Sequence, residues 1–219
     1  MKLYATPLSH FARKNRILLR ELELSHEIVY VENLLSSNAA DFGGNPILRI
    51  PTLVDGEQFV VESDQIARYL VESYDAQDRF GVLSLTPDQR NLLSMISAAM
   101  GAEVEILLSG RSGIAGVESI PYFQRYFEVI RLCLAFLEKQ GPDSWTRHEF
   151  SYLDIALTCM WDPLAYYGTI PELENHVWLK KRAASFEARS SCVESAPKNQ
   201  GVTGPMKQTR SSSASSPPD

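Results

Sequence analysis

Ser9, Pro51 and the pair Glu62-Ser63 are the residues whose types and settings best suit chemistry on a bound ligand. Ser9 opens "SHFARK" (9–14), between a short apolar run and a helical pattern rich in basic residues. Serine caps helix starts well. Its hydroxyl can equally donate to an anion, because the unpaired N–H groups and dipole of a helix start favour negative charge. A thiol placed there would lose its proton more easily than its usual pKa of about 8.5 implies. Both readings stand at this point. Pro51 lies in "NPILRIPTL" (45–53). Proline cannot donate to a sheet ladder, so it marks a strand start or a special turn. Trans is the ordinary state of the Ile50–Pro51 bond. A cis bond would aim the neighbouring N–H and C=O groups away from the adjacent strand, where an extended peptide can pair with them.

The third place is "FVVESDQIARYL" (59–70), where a β-rich run gives way to an amphipathic helix pattern. Ser63 reads as the N-cap of that helix. Glu62, one residue earlier, has no capping role. A carboxylate beside a helix start sets a cation-attracting group next to an anion-attracting one. An α-amino-acid group carries both charges.

These residues need elements to position them. "KLYA" (2–5) reads as a strand that Pro7 breaks, with Ser9 capping the helix beyond. From Phe11 to Leu24, the residues Phe11, Ile17, Leu18, Leu19, Leu22 and Leu24 mark one helical face; Arg13, Lys14, Arg16 and Arg20 mark the other. "HEIVYV" (26–31) alternates like a half-buried strand. After an irregular stretch over 33–49, "PTLV" (51–54), "DG" (55–56) and "FVV" (59–61) read as a hairpin. Ile66, Ala67, Leu70 and Val71 are expected to face inward on the next helix. The order strand, helix, strand, hairpin, helix predicts a compact α/β unit of about 80 residues. Residues 74–90 are polar and read as a linker ending near Thr86-Pro87. Helical periodicity then fills 88–108, 121–140, 151–167 and 175–187, with breaks at 109–121 and 141–144. The second unit is therefore expected to be all-helical. Ser151 and Asp154 form a capping-box variant, which makes Asp154 a helix-start partner rather than a catalytic acid. Trp161, Tyr166 and Tyr167 read as core or pocket wall, with Tyr122, Phe123 and Tyr126 in similar packing. The stretch from Lys198 to Asp219 offers almost nothing to bury and is expected to be disordered.

Composition bounds the chemistry. The 219 residues are 44% hydrophobic and 22% charged, which suits one or two globular domains. The net charge of −6 argues against non-specific nucleic-acid binding. No apolar run approaches the roughly 18–20 residues needed to cross a bilayer, so no membrane association is expected. "MKLYATPLSH" lacks the apolar core of a signal peptide, and a cytoplasmic location is expected. Cys133, Cys159 and Cys192 are widely spaced, as are His10, His26, His148 and His176. Neither a disulfide framework nor a protein-built metal site is expected.

In this order and spacing, "SHFARK", "NPILRIPTL" and "VVESDQIARYL" resemble the S-x-x-x-R, N-P-x-G-[KR]-[VI]-P-x-L and E-S-x-x-I-x-x-Y-L segments of the cytosolic glutathione transferase superfamily, of its bacterial, serine-dependent type. "FSYLDIAL" (150–157) resembles that family's capping segment, and "FEARSSCVESAP" (186–197) its final motif. The resemblance covers Met1 to about Pro197. It implies an α/β plus all-α architecture: a thioredoxin-like domain with a mixed four-stranded sheet over 1–78, a linker over 79–87, and a helical bundle over 88–197.

The resemblance also implies roles. Ser9 would stabilise the glutathione thiolate, with Thr6 the runner-up hydroxyl. Ile50 would pair its backbone with the cysteinyl unit across a cis bond to Pro51. Glu62 would hold the γ-glutamyl ammonium and Ser63 its carboxylate, while Arg49 would lie near the glycyl carboxylate. The implied activity is conjugation of glutathione, a co-substrate, to a small electrophile, as in detoxification, without a metal. Met95, Met100 and Glu103 are candidates for the electrophile pocket. A homodimer is expected, with Asp64 and Arg68 contributing charges at its interface. His10 and Leu48 depart from the family pattern. His10 would lie beside the thiol, and Leu48 replaces a usual glycine. They motivate the alternative of a non-catalytic binding or interaction module of the same fold. With no cysteine in the first domain, thiol–disulfide chemistry is disfavoured.

Overall fold

A computed structural model describes residues 1–146 and 148–200. The first unit runs β1 (Lys2–Ala5), α1 (His10–Glu21), β2 (Glu27–Tyr30), β3 (Thr52–Asp55), β4 (Gln58–Val61) and α2 (Ser63–Tyr74). Strand order in the sheet is β2-β1-β3-β4. β1 and β2 are parallel, as a helical crossover through α1 requires, and β3 and β4 pair antiparallel with their neighbours. This is the mixed, thioredoxin-like sheet that the sequence implied. Asp55 and Gln58 are partners across a two-residue turn, and Gly56 takes its first position at φ +60°. That conformation comes without steric cost only to glycine. Ile66, Ala67, Leu70 and Val71 are all fully buried on α2, as their spacing predicted.

The second unit comprises α3 (Pro87–Arg111), α4 (Pro121–Ser144), α5 (Tyr152–Tyr167), α6 (Val177–Ala184) and α7 (Ser190–Ser195). Thr86 and Gln89 form a full capping box at the start of α3, with Pro87 in the first turn. Ser151 and Asp154 do the same for α5. Asp154 is completely buried and accepts two hydrogen bonds from Arg182, at 2.7 and 2.8 Å, and one from Trp145 Nε1 at 2.8 Å. It is a structural anchor, as expected. By length and composition α3 would suffice to cross a bilayer, contrary to the sequence reading. Its Leu92, Ile96, Ala99 and Met100 are instead buried, and the helix packs on α4 and α5.

One further expectation is corrected. α4 continues through Gly141 and Pro142 to Ser144, where a break was expected. A Cβ at Gly141 would lie 2.3 Å from a ring carbon of Trp178, so the glycine serves close helix packing. The linker is internally bonded. Asp78 gathers the N–H groups of Val82 (2.7 Å) and Ser84 (2.9 Å), while Phe80, Val82 and Leu85 are buried. On the basic face of α1, Arg13, Lys14 and Arg16 are 2%, 0% and 6% exposed, while Arg20 is exposed. α1 packs against α2, α5 and α7, which cover that face. The expected disorder over 201–219 lies outside the described residues.

Candidate functional site

The sheet register brings the three sequence segments to one edge. Thr52 pairs with Tyr4 on one side and with Val61 on the other. Pro51 directly precedes that row and Glu62 directly follows it. β1 leaves the sheet at Ala5, toward Ser9, from the same end.

Ser9 is the N-cap of α1, with its Oγ accepting from Ala12 N at 3.1 Å. A hydroxyl has one donor proton and two acceptor lone pairs. The cap uses one lone pair and leaves the proton free to donate. The two readings of Ser9 are therefore compatible.

The Ile50–Pro51 bond is cis. Among the described residues, the Ile50 N–H and C=O make no backbone hydrogen bond. Asn45, only 1% exposed, organises this loop. Its Nδ2 donates to Arg49 O (2.9 Å) and Thr52 Oγ1 (3.1 Å), and its Oδ1 accepts from Ile47 N (2.9 Å). Sequence reasoning quoted Asn45 within the motif and gave it no role. The signal was available, since Asn before Pro is a turn former whose side chain bonds nearby backbone. Arg49 is exposed. Leu48 sits at φ +57°, which accounts for glycine being usual there.

At the start of α2 the cap is Glu62, not Ser63, and no side chain caps the helix. Glu62 takes φ +66° and ψ 128°, outside the regions open to most residues. Such backbone costs on the order of 1–3 kcal/mol and clusters at functional sites. Ser63, the first helical residue, is 3% exposed. The turn is fastened from behind. Asn15 Nδ2 donates to Ser63 O at 2.8 Å, Lys14 Nζ lies 2.6 Å from Asp64 Oδ1, and Tyr152 donates to the same oxygen at 2.7 Å. Asp64 is thus engaged within the chain, and its side chain stays 39% exposed. Arg68 pairs with Glu72.

The second unit closes over α1. Arg13 donates to Asp162 Oδ2 (2.7 Å), Ser195 Oγ (3.1 Å) and the carbonyls of Thr158 and Cys192. His10 was expected beside the ligand thiol. Its Nε2 instead lies 2.7 Å from Glu103 Oε2, in a contact where the residues are 3% and 0% exposed. Glu103 and Met100 are buried. Met95 packs against the core near Cys133. Between the units lies a cleft of about 2130 Å³, walled by Thr6, Leu8, Ile106, Arg111, Tyr166 and Tyr167 among others. Burial raises the Cys133 and Cys192 thiols, and pushes Cys159 up to about 12. None is poised as a thiolate.

Residues 3–78 match the family described as "Glutathione S-transferase, N-terminal domain". Among curated proteins, "Glutathione S-transferase 3" of Zea mays is 37% identical over 79 residues. That match spans 35% of this chain and 36% of the relative, about a third of its length. Among solved structures, a glutathione S-transferase from Methylobacterium radiotolerans, in complex with glutathione sulfonate, superposes with a TM-score of 0.76 at 24% identity. It covers 90% of this chain and 94% of its own. A glutathione S-transferase from Methylobacillus flagellatus, with glutathione bound, gives 0.72 at 22% identity, over 90% and 98% of the two chains. At these identities the structures show a shared fold, a thioredoxin-like unit followed by a helical one. The family match itself extends over residues 3–78, the first unit.

Proposed function

We propose that the protein is a glutathione transferase of the serine-dependent kind, joining reduced glutathione to a small electrophile. The observation that carries this reading is that the register sets Ser9, Ile50-Pro51 and Glu62-Ser63 at one end of the sheet, with the cleft lined by Thr6, Pro7 and Leu8 just before Ser9. The Glu62 carboxylate would take the γ-glutamyl ammonium. The Ser63 hydroxyl and the uncapped N–H groups of α2 would take its carboxylate. The free N–H and C=O of Ile50 would pair with the cysteinyl unit in the manner of an added strand. Arg49 would approach the glycyl carboxylate.

The thiol would then lie at the start of α1. The Ser9 O–H would donate to the sulfur, favouring the thiolate, and the thiol proton would pass to solvent. The sulfur pair attacks the electrophile in the cleft, forming an S–C bond as the leaving group departs with its electrons. No protein nucleophile is consumed. The turn of His10 toward Glu103 leaves the thiol position open, which favours catalysis over a non-catalytic binding module. A cytoplasmic homodimer acting in detoxification is part of the same proposal; light scattering at micromolar concentration checks the assembly.

Retention on immobilised glutathione tests the reading, with Glu62→Ala as its sharpest variant. Loss of a charge-assisted bond should weaken binding by about 1.5–3 kcal/mol. Folding should change far less, because Glu62 is exposed and makes no side-chain cap. A folded wild type that is not retained and shows no thermal shift with glutathione contradicts the proposal.

A further inference from the structure

We propose that His10 is a positioning residue for Ser9, acting through a buried chain of hydrogen bonds from His10 to Glu103 to Thr169. The inference rests on the reading of Ser9 as the hydroxyl that holds the thiolate.

The His10 imidazole has two partners. Its Nδ1 lies 3.3 Å from Leu8 O, and its Nε2 lies 2.7 Å from Glu103 Oε2. Leu8 precedes Ser9 and His10 follows it. Both partners are acceptors, so the ring ties both flanks of Ser9 to α3 in the form that carries an N–H on each nitrogen, facing the Glu103 carboxylate. The other oxygen of Glu103, Oε1, accepts from Thr169 Oγ1 at 2.7 Å. Thr169 stands just beyond α5 and, like Leu8, borders the cleft. One end of the chain brackets the Ser9 hydroxyl, and the other forms part of the wall an electrophile would meet.

The chemistry of the chain suits positioning rather than stability. Glu103 is wholly buried beside Met100 and Ile106 of its own helix. A buried carboxylate with its partners is often no more stabilising than apolar residues of similar volume. What it adds is direction, because hydrogen bonds at 2.7 Å constrain both distance and angle. Ser9 needs that constraint. Among the described residues its Oγ is held by the first turn of α1, through Ala12 N at 3.1 Å, and a small displacement of a reacting group is costly in rate. Ser9 N reaches Thr6 O at a long 3.3 Å, so the loop before the helix contributes little rigidity.

Thr169→Val removes the hydroxyl and keeps the shape; His10→Gln removes the ring. Two readouts decide. The first is amide hydrogen exchange at Ala12 and Arg13, whose N–H groups bond Ser9 Oγ and Ser9 O, in protein without glutathione. Both variants should exchange faster there, on the order of tenfold, while amides of α4 stay at the wild-type rate. The second is the split between kcat and KM for glutathione, with 1-chloro-2,4-dinitrobenzene as electrophile. We expect kcat to fall about tenfold with KM for glutathione nearly unchanged. Wild-type exchange at both amides in either folded variant overturns the inference, whatever the kinetics show. If the wild type fails to bind glutathione, the functional reading falls, while the exchange rates still decide the positioning.

Discussion

Lys14 Nζ lies 2.6 Å from Asp64 Oδ1, and the lysine side chain has no exposure while the aspartate keeps 39%. The contact joins α1, which presents Ser9, to the first turn of α2, which presents Glu62 and Ser63. The ammonium also sits 5.5 and 5.7 Å from the ring centroids of Phe11 and Tyr152. The two arms of the candidate site are thus locked by a cation buried between them.

The asymmetry of that pair gives a first prediction. Asp64→Asn leaves a buried ammonium without its counter-charge, and should cost about 3–5 kcal/mol. Lys14→Met leaves a half-exposed carboxylate that water can reach, and should cost clearly less. Urea unfolding of both variants checks the order, and a reversed order refutes it.

Leu48 provides a second. At φ +57° a leucine carries a penalty of roughly 1–2 kcal/mol that glycine escapes. Leu48→Gly and Leu48→Ala remove the same packing but only glycine relieves the backbone. The glycine variant should be the more stable of the two by about 1 kcal/mol. Thermal melts of the pair decide it.

Gly141 makes a third. A Cβ there would lie 2.3 Å and 2.6 Å from carbons of the Trp178 ring. The indole is half-buried and packs edge-on against Trp145 at 5.1 Å, so it has little room to yield. Gly141→Ala should destabilise by about 1–3 kcal/mol despite the better helix propensity of alanine. Tryptophan fluorescence should shift with it.

A fourth concerns acid. Burial raises the Glu21 carboxyl, but hydrogen bonds from Arg189 and Ser191 and the Arg189 charge outweigh it, leaving the group below its ordinary 4.5. A depressed carboxylate contributes stability that is present above the unfolded value and disappears as pH falls through the folded one. The stability advantage of wild type over Arg189→Met should therefore be full at neutral pH and shrink below about 4.5. An advantage that grows on acidification would be of the wrong sign.

The first unit was largely legible in the sequence because its signals are local. Alternation marked the strands, Gly56 marked the hairpin, and the spacing of Ile66, Ala67, Leu70 and Val71 marked the buried face of α2. What stayed hidden depends on partners far along the chain. Periodicity sorts Arg13 and Lys14 by polarity alone, while their partners Asp162 and Asp64 lie on other elements. The partner of His10, Glu103, likewise lies on another element, α3. Gly141-Pro142 reads as a helix break, and only the neighbouring Trp178 shows why a glycine stands within the helix. At "ESD" the composition was right and the geometry one residue off: Glu62, at positive φ, holds the cap position that Ser63 was expected to fill.

The central claim is that Ser9 turns bound glutathione into a thiolate. Ultraviolet titration of the glutathione thiol in complex with wild type and with Ser9→Ala tests it most directly. In the wild type the bound thiol should titrate well below its pKa in free glutathione, with a rise of about one unit or more when the hydroxyl is removed. Two complexes that titrate alike would contradict it.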